Sequence, residues 1–99
     1  MKSEDLKRRL NSVGKAAFVD NFSLLKSCAD GQISRQSCIE SLVAKGVSNM
    51  EGASIRVSNA TTIFRADMEY DALTLVLESN RVPSTVVKAA RRILDGRVK

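Results

Sequence analysis

Two groups of lysine and arginine side chains are the residues of this sequence best suited to chemistry, because both could bind phosphate. Lys7-Arg8-Arg9 lies near the start, and residues 80–99 hold six bases against the single acid Asp95. A guanidinium fork matches a phosphate in charge and geometry, and a lysine ammonium supplies a point charge. We therefore expect contacts to the phosphates of duplex DNA from the following positions: Lys7, Arg8, Arg9, Lys88, Arg91 and Arg92.

An acidic segment offers a different interpretation of the C-terminal charges. Residues 67–79 carry four acids (Asp67, Glu69, Asp71 and Glu78) and no base. If these carboxylates pair with the bases that follow, the C-terminal group is an ordinary solvated face. If the bases converge instead, they form a phosphate-binding stripe. That stripe would consist of Arg81, Lys88, Arg92, Arg97 and Lys99.

Residues 56–62 carry a second candidate for DNA contact. Their sequence, Arg-Val-Ser-Asn-Ala-Thr-Thr, resembles the turn and the start of the recognition helix in bacterial repressors of the helix-turn-helix class. The resemblance implies that Ser58 caps a helix and that Asn59 and Thr61 face base edges. Arg56 stands where the motif has its turn glycine. The alternative is a helix start with no role in DNA binding.

Catalytic and metal sites are disfavoured by the residue types in the sequence. Histidine is absent, which removes the commonest general base and the serine–histidine and cysteine–histidine pairings. Cys28 and Cys38 have a spacing typical of neither a zinc site nor a redox C-x-x-C pair, so we expect two reduced, buried thiols. The acids of residues 67–79 match a calcium loop only in part. We predict that the protein is not an enzyme and uses no cofactor or metal.

Helical periodicity predicts the elements that position these charges. Apolar residues recur at three- and four-residue steps, and start and stop signals divide the chain. We expect an all-α fold of about five helices in a single domain, residues 1–99. The first is a long helix over residues 3–29 with a weak point at Gly14, and the others begin at Ser34, at a Ser48–Glu51 capping box, at Asp67 and at Pro83. A short β-hairpin over residues 54–65 is the alternative there, because that segment is rich in β-forming residues.

The first predicted helix bears on assembly. Residues 3–29 would span roughly 40 Å as one helix, more than a compact domain of this size needs. The helix therefore either bends at Gly14 or packs its narrow apolar stripe on a second copy of the chain. Leu6, Leu10 and Val13 belong to that stripe. The second possibility predicts a homodimer.

Together these features predict a small basic DNA-binding protein of bacterial or phage type, with an accessory or regulatory role in transcription. The charged start, from Lys2 to Arg9, is unlike a secretory signal, and no window approaches the roughly 18 apolar residues of a membrane span. We therefore expect a cytoplasmic protein without membrane contact. The alternative belongs to another class, a protein-binding module (an inhibitor or adaptor) that acts through a helical surface without nucleic acid.

Overall fold

Seven helices form between residues 1 and 97, the part of the chain whose backbone the computed structural model describes, with side chains described to residue 96. They are α1 (Ser3–Val13), α2 (Lys15–Asp20), α3 (Phe22–Ala29), α4 (Arg35–Ala44), α5 (Met50–Arg65), α6 (Glu69–Glu78) and α7 (Ser84–Arg97). No strand occurs within residues 1–97, so the all-α prediction is confirmed and the β-hairpin alternative is wrong. Residues 54–65 lie inside the continuous helix α5.

The N-terminal segment forms three helices, not the single long helix that its periodicity predicted. α1 ends at Gly14, whose φ of 92° is readily adopted only by glycine. α2 and α3 separate at Asn21, a buried residue whose Nδ2 donates to the Ala17 carbonyl oxygen at 3.0 Å. Lys45 donates to the Oδ1 atom of the same side chain at 3.1 Å. The chain therefore bends twice, and the globule measures 30 × 27 × 24 Å.

The apolar stripe of α1 is buried within its own chain. Leu6, Leu10 and Val13 are exposed by 3%, 1% and 1%, and α5 is the helix with which α1 makes its most extensive contact. Burial against a neighbouring helix demands the same periodicity whether that helix belongs to the same chain or to a second copy. The stripe that favoured a homodimer is thus occupied by α5.

α5 runs through a core that is aliphatic apart from a cluster of aromatic rings. Phe18, Phe22 and Phe64 contact one another, with ring centroids separated by 5.8, 5.6 and 5.1 Å. α1, α3 and α4 all pack against α5. One flank of α5 therefore lies beside α1, and another lies beside the turn between α3 and α4. Both flanks carry polar side chains.

The starts of α4 and α5 test the capping predictions. Ser34 caps α4 as predicted, since its hydroxyl accepts a hydrogen bond from the Ser37 backbone N–H at 3.0 Å. The predicted Ser48–Glu51 capping box is displaced by one residue. Asn49 caps α5 instead, accepting from the Gly52 N–H at 2.8 Å.

The junction between α5 and α6 also differs from the prediction, which began a helix at Asp67. Asp67 does not cap α6, because its φ of 57° places it in the left-handed region just after α5. The N–H of Met68 donates to the Ile63 carbonyl oxygen at 3.1 Å, as in a Schellman motif, so Asp67 terminates one helix rather than starting the next.

Candidate nucleic-acid interface

The Lys7-Arg8-Arg9 cluster is divided between different sides of α1. Successive side chains on a helix point about 100° apart, so three adjacent cations do not share one face. Lys7 is exposed and lines a groove beside α6, whereas Arg9 is half-buried against α5. Arg8 is more solvated than Arg9, with 72% of its side chain exposed against 29%. The cluster that is continuous in sequence is therefore not one phosphate-binding patch.

Asp5 engages both arginines of this cluster. Its two carboxylate oxygens accept from Arg8 Nη2 and from Arg9 Nε, the second bond measuring 3.2 Å. Both hydrogen bonds hold the pKa of the Asp5 carboxyl below its usual value, and the one from Arg8 has the larger effect. The carboxylate offsets part of the positive field of Arg8 and Arg9, which weakens the expectation that both serve DNA phosphates.

Asn59 lies next to Arg9, which brings together a predicted base contact and a predicted phosphate contact. Arg9 Nη1 donates to Asn59 Oδ1 at 3.2 Å, and Asn59 Nδ2 donates to the Ile55 carbonyl oxygen at 3.0 Å. Both ends of the Asn59 amide are thus used within the fold. A base contact by Asn59 would require these hydrogen bonds to break.

Thr61 faces the interior. Only 8% of the residue is exposed, and its hydroxyl lies 2.9 Å from the Val57 carbonyl oxygen and 3.1 Å from that of Ser58. The turn implied by the resemblance to repressors is absent, because residues 56–62 lie in the middle of α5 and Ser58 caps nothing. The structure therefore gives Thr61 no surface from which to contact a base.

A groove between α1 and the α6–α7 turn gathers cations that are scattered in the sequence. Two adjoining depressions, of about 330 and 480 Å³, share Asn11, Lys15, Ser79 and Arg81 in their lining. We call them together the α1–α6 groove. Lys7 adds a further cation at one end and Arg56 at the other, whereas Glu78 is the one acid in the lining. The groove is long, open and positively charged, as a surface that follows a phosphate backbone should be.

The break after α1 shapes this groove. Arg56 Nη1 donates to the Val13 carbonyl oxygen, one of the acceptors that the end of α1 leaves free. Gly14 lies directly beneath this guanidinium, and Lys15 then begins α2 with its Nζ 3.4 Å from Asn11 Oδ1. The hydrogen bond from Arg56 thus fixes the place where Lys15 enters the groove.

The cations of α7 share one exposed face. Lys88, Arg91 and Arg92 are exposed, while Val86 and Ala90 on the opposite side are buried. Among residues 1–96 the ion pairs are the two made by Asp5, so no described carboxylate pairs with these three cations, Asp95 included. No ion pair between described residues joins Lys88, Arg91 or Arg92 to residues 67–79, although α6 packs against α7. Arg97 and Lys99, the last members of the predicted stripe, lie outside the described side chains.

Sequence reasoning missed Lys15 and Arg56, because each stands alone among neutral residues. Gly14 was the available signal, since a chain break at that position moves Lys15 off the line of α1. No three potential ligands among histidine, cysteine, aspartate and glutamate group together within the described residues. No helix in that part of the chain is long and apolar enough to cross a membrane.

Comparisons with protein-family models, with curated proteins and with solved structures found no match to this chain.

Proposed function

We propose that this protein binds duplex DNA as an accessory or regulatory factor, and that it does so by neutralising phosphates rather than by reading bases. The observation that carries the proposal is the set of cations without a described carboxylate partner. Lys7, Lys15 and Arg81 lie in the α1–α6 groove, and Lys88, Arg91 and Arg92 lie on the exposed face of α7. The two surfaces adjoin in sequence, because Pro83 lines the groove and α7 begins at the next residue.

Unpaired cations support binding because they retain their full attraction for phosphate. Each phosphate contact releases condensed counterions, which favours association most strongly at low salt. Arg8 and Arg9 keep a smaller part in the proposal, since Asp5 shares their charge. Asn59 and Thr61 are left out of it, because their polar groups are engaged within α1 and α5.

The burial of the aromatic side chains favours a duplex over a single strand. Phe18, Phe22 and Phe64 form the core cluster and are exposed by 8% or less, and Tyr70 is half-buried. Proteins that bind single strands usually stack bases on exposed aromatic rings. No such ring is fully exposed among the described residues.

The test is fluorescence anisotropy with a labelled random-sequence duplex. Wild-type protein should bind at low salt, and the Lys88→Glu/Arg92→Glu variant should bind much more weakly. The matched control is Lys2→Glu/Lys26→Glu, which reverses two exposed lysines that line neither the groove nor the exposed face of α7. An equal loss of binding in both variants would show a dependence on net charge alone and would contradict the proposed surface.

The protein-binding alternative is favoured by a different observation. Met50 and Ile55 on α5 are 50% and 53% exposed, whereas most large apolar side chains of the described chain are covered. A partner could bury them against α5. No DNA binding at low salt would contradict the proposal and favour this alternative, which a pull-down comparing wild type with Ile55→Glu would then examine.

A further inference from the structure

A second cleft lies between α5 and the turn that joins α3 to α4. Its volume is about 610 Å³, within the range of about 300–1,000 Å³ that is usual for small-molecule sites. Arg35 and Ile33 lie on the side of the turn, and Val57, Ser58, Thr62 and Arg65 lie on the side of α5. None of the residues that line it is acidic. We call it the α5 cleft, and it shares no lining residue with the α1–α6 groove.

The two arginines of the α5 cleft keep free hydrogen-bond donors. Arg35 is anchored through Nη2, which lies 2.7 Å from Ser54 Oγ and 3.3 Å from the Ser54 carbonyl oxygen. Because a guanidinium carries five N–H donors, anchoring through one nitrogen leaves others available. Arg65 is exposed in the last turn of α5 and has no hydrogen bond or ion pair to another described side chain. Two positive charges thus face the cleft without a counter-charge in its lining.

Hydroxyl groups complete the polar wall. Thr62 donates to the Ser58 carbonyl oxygen at 2.9 Å, which fixes its side chain on the flank of α5. The Ser58 hydroxyl is exposed and makes no hydrogen bond to another described residue, so it is a free donor. The hydroxyl-rich segment that resembles a recognition helix therefore lines the α5 cleft.

The remaining lining is apolar. Ile33 is half-buried, so part of its side chain is open to the cleft, whereas Val57 is fully buried beneath the floor. An inorganic anion would leave this surface uncovered, whereas an organic group attached to the anion would cover it. The cleft therefore combines a cationic wall with an apolar floor, the usual composition of a site for a small charged metabolite.

We propose that the α5 cleft binds a small organic phosphate monoester. Its phosphate lies between the guanidinium groups of Arg35 and Arg65, with the Ser58 hydroxyl as a further donor, and its organic part lies on Ile33. A phosphate monoester suits this wall better than a carboxylate, since it carries a charge of about −1.5 to −2 and three acceptor oxygens. The site is distinct from the proposed DNA-binding surface and does not depend on it.

The experiment is a titration of ¹⁵N-labelled protein with phenyl phosphate, followed by two-dimensional NMR. Amide shifts should change around residues 31–35 and 57–65, and saturation should occur at millimolar concentration or below. Arg65→Gln should weaken binding by about tenfold, because a hydrogen bond to a charged group is lost. Lys26→Gln removes the same charge from an exposed residue of α3 outside the cleft and should leave binding unchanged.

Two further ligands and one further variant test which chemical group the α5 cleft recognises and whether the anion binds there. Benzoate, which has the same ring and a carboxylate, should bind more weakly than phenyl phosphate, and inorganic phosphate should also bind more weakly because it lacks the ring. The proposal is overturned if either binds as tightly as phenyl phosphate, if no shifts occur, or if Lys26→Gln matches Arg65→Gln. Lys88→Glu/Arg92→Glu should bind phenyl phosphate normally, and a loss there would place the anion on α7 instead.

Discussion

The Arg56 guanidinium donates a hydrogen bond from Nη1 to the carbonyl oxygen of Val13, tying the end of α1 to the middle of α5. These residues are 43 positions apart in the chain. The bond satisfies an acceptor that the break at Gly14 frees, and it holds Arg56 at one end of the α1–α6 groove, next to the end of α1. The stability of the fold and the shape of the proposed interface therefore depend on the same contact.

Replacing Arg56 by alanine should destabilise the protein. The half-buried Val13 carbonyl oxygen would lose its donor, and we expect Arg56→Ala to lower the free energy of unfolding by about 1–3 kcal/mol in denaturant melts. Lys88→Ala removes an exposed cation with no described partner and should change stability by no more than about 0.5 kcal/mol. Equal effects of the two substitutions would show that the Arg56 contact contributes nothing.

A double-mutant cycle tests how closely Arg56 approaches Gly14. A Cβ at Gly14 would lie 2.8 Å from Arg56 Nη1, and the φ of 92° adds backbone strain. We expect Gly14→Ala to cost about 1–3 kcal/mol from backbone strain and to displace the flexible Arg56 side chain from the Val13 carbonyl oxygen, so that it costs less when Arg56 is already alanine.

Gly31 provides the matched control for this cycle. Its φ is 79°, but nothing lies within 4 Å of an added Cβ. Gly31→Ala should cost the same in the wild-type and Arg56→Ala backgrounds. Strict additivity at Gly14 as well would contradict the close approach of Arg56.

Leu73 tests the packing of α6. The residue is completely buried, whereas Leu77 on the same helix is only half-buried. We expect Leu73→Ala to lower the free energy of unfolding by ~2–5 kcal/mol through cavity formation, and Leu77→Ala to cost less. A loss below ~1 kcal/mol at Leu73 would mean that α6 buries a different face.

The Cys38 thiol predicts how stability changes in alkali. Burial, reinforced by the neighbouring Cys28 thiol, raises the pKa of Cys38 to about 12. In the unfolded chain a thiol loses its proton near about pH 8.5, so the folded form holds a proton that the unfolded form has released. The buried thiol therefore does not lower the free energy of unfolding below about pH 8.5. Above that pH the free energy of unfolding declines by up to about 1.4 kcal/mol per pH unit, until the folded thiol also loses its proton.

Denaturant melts of wild type and Cys38→Ala between about pH 7 and pH 10 measure this effect. Wild type should lose stability more steeply than the variant above about pH 8.5, because only wild type carries the buried thiol. Parallel curves for the two proteins would contradict the raised pKa.

Local signals in the sequence predicted the fold class and several helix starts, and they failed where two signals competed. The start of α4 was predicted at the right residue because neither neighbour of Ser34 in the sequence has a side chain that can cap a helix. At Ser48 the neighbouring Asn49 was an equally good cap, and only packing selected it. The periodicity of α1 to α3 persists through Gly14 and Asn21, because all three helices bury apolar faces in the same core.

The candidate interface was less accessible to sequence reasoning because it depends on tertiary contacts. Lys7, Arg8 and Arg9 are adjacent in sequence, yet the helical turn of α1 points them in different directions. Asp5 forms ion pairs with Arg8 and Arg9. Lys15 and Arg81 are far apart in sequence, yet the break after α1 and the α6–α7 turn bring both into one groove. The exposed face of α7 could be predicted because it follows from the periodicity of one helix.

The most direct test of the central claim is the salt dependence of duplex binding. Each phosphate neutralised contributes about 0.9 to the slope of log K against log salt concentration, so Lys88→Gln/Arg92→Gln should lower that slope by about 1.8. Lys2→Gln/Lys26→Gln removes the same charge elsewhere and should leave the slope unchanged. A slope that is the same in all three proteins, or no binding by wild type at low salt, would contradict the claim that the α7 cations contact DNA phosphates.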